Sequence, residues 1–144
     1  MHFKNAVLTV LVALSVSAVN AITNASLAAN EIAVSGRYEY RTDAQSLEML
    51  GDMPCFYPGP ESAKLLPRTA GVKRLAWFCF KNKEESKKLL NIPEQIKGKN
   101  CGISGQAVLK VANYVSYNGE GDGVDTAVLV AVTEKSAPRK LACK

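Results

Sequence analysis

The sequence predicts a mainly β domain with one short helix, arranged as a small five-stranded antiparallel barrel. Three observations carry this expectation. Five stretches alternate or run apolar in the manner of strands, and Gly, Pro and Asn punctuate the intervals between them. A single well-signalled helix falls between the third and fourth of these stretches. Four cysteines, none before Cys55, supply covalent closure for a chain of 144 residues. The alternative architecture is α+β, an antiparallel sheet with one helix on its face.

The first residues read as a secretory signal peptide rather than as part of the fold. Lys4 precedes the apolar run AVLTVLVALSVSAV, and Val19-Asn20-Ala21 fits a small-x-small cleavage site. Ser26-Leu27-Ala28 is a later alternative. The run is too short to span a bilayer comfortably, which takes about 20 apolar residues. No later segment is apolar enough to do so. The expected organisation is therefore a signal peptide at 1–21 (or to 28), a leader at 22–30, one barrel domain at 31–136 and a C-terminal tail at 137–144.

Residues 31–41, EIAVSGRYEYR, alternate, with Ile32, Val34, Tyr38 and Tyr40 on one face and charges on the other. Gly36 in the middle implies a bend or bulge. TDAQSLEMLGD follows as a helical turn or loop that Thr42 or Asp43 can cap and Gly51 can end. Pro54, Pro58 and Pro60 keep any strand around Cys55, Phe56 and Tyr57 short. Residues 59–72 read as an exposed loop with one turn of helix at SAKLL. VKRLAWFCFK, 72–81, is apolar on both faces and reads as a central strand. Asn82 with Glu85 three residues on is a capping-box pattern, and Pro93 stops the helix expected at 83–91. Residues 102–117 and 124–135 then form two long strands of a hairpin. A helix between the third and fourth strands of a five-stranded barrel is the arrangement of the OB-fold, and the domain is OB-fold-like in this architectural sense.

An even number of cysteines behind a signal peptide argues for two disulfides. Three pairings are open. We favour Cys55–Cys79 with Cys101–Cys143, because the second would tie down a tail that otherwise frays. No two cysteines form a C-x2-C pair, which argues against a zinc site.

Composition excludes much chemistry. The only histidine is His2, inside the expected signal peptide. Beyond it there is none for a Ser-His-Asp or Cys-His site, for general acid–base work or for most zinc and copper sites. No G-x-S-x-G, P-loop or dinucleotide fingerprint occurs. We expect no enzyme and no cofactor, calcium being the one ion left open.

Charge is uneven. The net charge is +5, and between residues 62 and 110 eleven cations face three carboxylates. The expected binding residues are Arg37, Arg41, Lys73 and Arg74. Tyr38, Tyr40, Tyr114 and Tyr117 could stack on a ligand but read more simply as core. The stretch YNGEGDGVDT, 117–126, is an acidic glycine-rich hairpin tip. Asn118, Glu120 and Asp122 resemble the first ligands of an EF-hand loop, with Asp125 nearby. Leu129 stands where the closing Glu should be, and strands flank the loop, so only a different kind of calcium loop remains. With Asp43, Glu48 and Asp52 across the barrel mouth, the tip makes an acidic rim that repels phosphates and argues against nucleic acid.

These readings converge on an exported, disulfide-stapled, non-catalytic binding domain, periplasmic or secreted. It would bind a protein partner, such as a hydrolase or toxin that it inhibits. The alternatives are an OB-type module for an oligosaccharide or anionic envelope ligand, and a calcium-dependent module.

Overall fold

The computed structural model describes residues 30–121 and 123–143. The expected signal peptide, most of the leader, and Asp122 of the tip lie outside the described residues. The elements in chain order are β1 (Ile32–Arg41), α1 (Ala44–Leu50), β2 (Cys55–Pro58), α2 (Pro60–Ala63), β3 (Phe78–Phe80), α3 (Lys83–Leu89), β4 (Asn100–Val115), β5 (Asp125–Lys135) and β6 (Arg139–Ala142). The protein is thus mainly β, with one six-stranded sheet in the order β1-β2-β3-β5-β4-β6. Among the described residues no helix is long and apolar enough to cross a membrane.

β1 pairs with β2 and also with β4, so the pairings β1–β2–β3–β5–β4 return to β1. All are antiparallel except β3–β5, which is parallel. The all-antiparallel expectation is corrected here, and the reason is parity. An odd number of strands cannot alternate in direction all the way round a circuit, so one parallel pair must occur. The crossover through α3 supplies it, since parallel neighbours need a long connection.

Local signals explain most boundaries. The Asp43 side chain accepts hydrogen bonds from Ser46 N and Ser46 Oγ at 3.0 and 2.9 Å, capping α1, and Gly51 ends it at φ 61°. At Gly36 any Cβ would lie 2.3 Å from the Tyr57 carbonyl oxygen. Only glycine lets the β2 backbone cross β1 there.

Four expectations change. Among the described residues there are three short helices rather than one, since Pro60 opens a turn at α2 and Asp43 makes α1 a helix. β3 is three residues long, not ten, and Leu75 is 87% exposed. The chain before Phe78 is drawn aside by Arg68 and Arg74, as described below. The capping box does not form. Asn82 instead donates to the Leu129 carbonyl at 2.9 Å and accepts from Leu129 N at 3.0 Å, so its amide extends β3 against β5 as a surrogate peptide. Finally, the presumed tail contains β6, paired with the first part of β4.

Tyr38, Phe56, Phe78, Phe80, Leu109, Val111, Ala127 and Leu129 are all buried, with Leu90 and Ile92 packed in after α3. Phe56, Phe78 and Phe80 contact one another with ring centroids 5.6–6.5 Å apart. Both favoured disulfides are present, Cys55–Cys79 across β2 and β3 and Cys101–Cys143 beyond β6.

Candidate functional site

Strand alternation assigns the outer face of β1–β2–β3. Phe56 and Phe78 belong to the core, so Tyr57 and Cys55 on β2 and Cys79 on β3 lie on the opposite face, where the two cysteines are buried and Trp77, just before β3, stacks on Tyr57. On β1 the outward positions are Arg37, Glu39 and Arg41. Arg37 is the register partner of Tyr57, and Glu39 that of Cys55. A lateral row results. The Arg37 guanidinium lies 4.4 Å from the Tyr57 ring centroid, and the Tyr57 and Trp77 rings are parallel within 8° at 5.7 Å. The Cys55–Cys79 bridge sits next along the same face and holds the two aromatic-bearing strands together.

A charged row runs beside it. Glu39 accepts from Arg37 Nη1 and from Arg41 Nε, the latter at 2.6 Å. Arg41 Nη1 faces Asp43 Oδ2 at 3.9 Å, and both atoms are buried without a hydrogen-bond partner. Burial pushes the Glu39 carboxyl upward, but the hydrogen bonds and charges of Arg41 and Arg37 outweigh it and hold Glu39 below the usual carboxylate range. Burial raises the Tyr57 hydroxyl, and the Glu39 charge adds to that. Between these rows and α1 lies a cleft of about 230 Å³. Glu39, Arg41, Tyr57 and Trp77 line one side, and Gln45 and Met49 come from α1. Met49 is 59% exposed, and α1 buries none of its residues, so this lip is held by its ends.

A second polar cluster lies at the base of the hairpin tip. Asp125 is 1% exposed. Its carboxylate accepts from Arg68 Nε at 3.3 Å, from Tyr117 N at 2.8 Å, from Arg74 Nη2 and from the Tyr114 hydroxyl. Arg74 also donates to the carbonyls of Gly123 and Tyr117, and Arg68 to that of Arg74. Burial, and then the bond to Asp125 and its charge, push the Tyr114 hydroxyl well above its ordinary value. The Tyr117 hydroxyl donates to the Glu120 carbonyl at 2.7 Å, so the tip folds around that ring.

The expected site residues therefore separate. Arg37 and Arg41 meet through Glu39. Tyr38 and Tyr40 are core, and the Tyr40 hydroxyl donates to the part-exposed Asp52 at 2.5 Å, where Lys87 also bonds. Lys73 is exposed. Arg74, Tyr114 and Tyr117 are joined by Asp125. Of the candidate ligands expected at the tip, Asn118 and Glu120 have an exposed place there. Asp125 does not: it is a buried counter-ion, because two guanidinium groups converge on it. Among the described residues no group of three or more His, Cys, Asp or Glu is placed to hold a metal ion.

Charge-led reading missed Tyr57 and Trp77. A signal for them existed. If Cys55 pairs with Cys79 on neighbouring antiparallel strands, then Tyr57 and Trp77, two residues away in opposite directions, must be neighbours on the same face. Comparison with protein-family models, with curated proteins and with solved structures found no significant match to this chain.

Proposed function

We propose that the chain is an exported, non-catalytic binding domain of the OB type that takes its ligand on the outer face of β1–β2–β3, beside α1. The circuit of five paired strands with α3 between β3 and β4 supports the OB reading. In that architecture ligands sit on the face of the second and third strands, flanked by the loop between the first and second. Here that loop is α1 with its flanks. The observation that carries the proposal is the Arg37–Tyr57–Trp77 row beside the cleft, at that place in the fold.

A binding role fits the chemistry of the side chains. The four thiols are tied up in disulfides. Glu39, Asp43, Asp52 and Asp125 are each engaged by a cation. Two disulfides and an expected signal peptide are compatible with work in an oxidising compartment.

The test uses the single tryptophan of the chain. Its indole N–H gives one resonance in a nitrogen-correlated NMR spectrum. Fractions of native envelope extract and culture fluid are titrated into labelled protein. Shift changes concentrated on Arg37–Arg41, α1, Tyr57 and Trp77 support the proposal. Changes concentrated at Asn118–Gly121, or none in any fraction, overturn it.

A further inference from the structure

We infer that the ligand of this face is a neutral oligosaccharide, one sugar ring of which seats in the cleft between α1 and the Tyr57–Trp77 pair. The inference rests on the outer-face reading above and adds its chemistry. Four features of the face select the ligand class.

The first is charge balance. The charged groups along the face are two cations, Arg37 and Arg41, and two anions, Glu39 and Asp43, and they face one another: Glu39 bonds both guanidinium groups, and Asp43 stands 3.9 Å from Arg41. An anionic ligand must face Glu39 and Asp43, and a cationic one must face both guanidinium groups. Either must break an existing pair, leaving a half-buried charge without its partner. Phosphate recognition, which needs unpaired cations, is disfavoured for the same reason. A sugar hydroxyl both donates and accepts, so it suits a mixed set of carboxylates and guanidinium groups without net charge.

The second is the pair of parallel rings. Tyr57 and Trp77 offer apolar aromatic surface next to polar groups, and a pyranose has the matching form, a C–H face rimmed by hydroxyls. The third is size. A cleft of about 230 Å³ falls below the range of roughly 300–1,000 Å³ usual for drug-sized ligands, and holds one ring rather than a helix or a domain. The fourth is the absence of a free backbone edge. β1, β2 and β3 are each paired on both sides, so an extended peptide cannot add as a strand there. The Cys55–Cys79 bridge in the same face keeps the rings in place before a ligand arrives, which lowers the ordering cost of binding.

The test is calorimetric titration of the oxidised full-length chain with cellohexaose, maltohexaose, chitohexaose and a heparin octasaccharide, with the Trp77 indole resonance followed in parallel. We expect at least one neutral hexaose to bind, with an affinity insensitive to salt. Tyr57→Ala and Trp77→Ala should weaken it about tenfold or more. Tyr57→Phe, which keeps the ring, should bind within about threefold of wild type, and Glu120→Ala at the tip should leave binding unchanged. The phenylalanine variant guards against misfolding, as does a melting curve for each alanine variant. Tighter, salt-sensitive binding of the heparin fragment overturns the neutral class. So does silence of all three neutral hexaoses while extract fractions still move the Trp77 resonance; in that case the face stands and the sugar falls. If the extract moves only residues elsewhere, both proposals fall together.

Discussion

Replacing Asp125 by Asn tests whether the tip cluster is a buried ion network or a cation site. Asp125 is 1% exposed, and its two oxygens accept from two guanidinium groups, a phenol and a backbone amide. Asn keeps the shape, removes the charge and turns an NH2 group toward donors. Removing one partner of a buried ion pair costs about 3–5 kcal/mol, because the other charge is left behind. Arg74 and Arg68 keep 32% and 15% of their side-chain surface in solvent and recover some hydration, so the lower end applies, roughly 3 kcal/mol. For a domain of this size each kcal/mol moves the midpoint by about 3–5 °C, giving a fall of roughly 10–15 °C. Urea unfolding followed by Trp77 fluorescence and by far-ultraviolet circular dichroism measures it. A loss below about 0.5 kcal/mol would refute the network, since that is the range of surface substitutions.

Calcium added to the wild type should leave the melting midpoint unchanged, because Asp125 is already spent on arginines; a rise that Asp125→Asn abolishes would contradict this. Stability should be flat above about pH 5 and erode below about pH 4, because Glu39 and Asp52 have folded-state values below their ordinary ones of about 4. Their contribution is complete above the unfolded value and is lost as pH falls through the folded one. Acid titration of Glu39→Gln should show a shallower decline than wild type, and an identical decline would count against the pairing with Arg37 and Arg41. Asn82→Ala strips both hydrogen bonds from the buried Leu129 backbone and should cost about 2–3 kcal/mol in urea unfolding, well above the loss of a few tenths expected from helix propensity alone. Cys101→Ser with Cys143→Ser opens a link spanning 42 residues and should cost up to about 4 kcal/mol, with amide protection lost first along β6.

Alternation was legible wherever a strand has one wet face. β1 shows it: Val34, Tyr38 and Tyr40 went to the core as expected, and the charges between them to the outside. The cap at Asp43 was legible for the same kind of reason, a local interaction within three residues. What could not be read depends on distant partners. Asn82 has the pattern of a helix cap, yet Leu129 competes for its amide and wins with two bonds. The stretch before Phe78 is apolar enough for a strand, but Arg74 is pulled toward Asp125 and the pairing stops. The candidate site was obscured by attention to net charge. Glu39 stands two residues from Arg41 on the same strand face, so alternation already implied that pair, whereas Asp125 reaches Arg74 only through the fold.

The double pairing of β1 also sets the order in which the molecule can be made. Its contact with β2 is nearby in sequence, but Ile32 meets Val111, far down the chain. Until β4 has emerged, β1 keeps one bare edge, and the aromatic core has no lid. Contacts of such long range make for slow folding. The Cys55–Cys79 link can close once residue 79 is made, whereas Cys101–Cys143 must wait for residue 143. A nascent chain therefore stays open until β4 has emerged, the condition in which a polypeptide can still be threaded through a narrow pore.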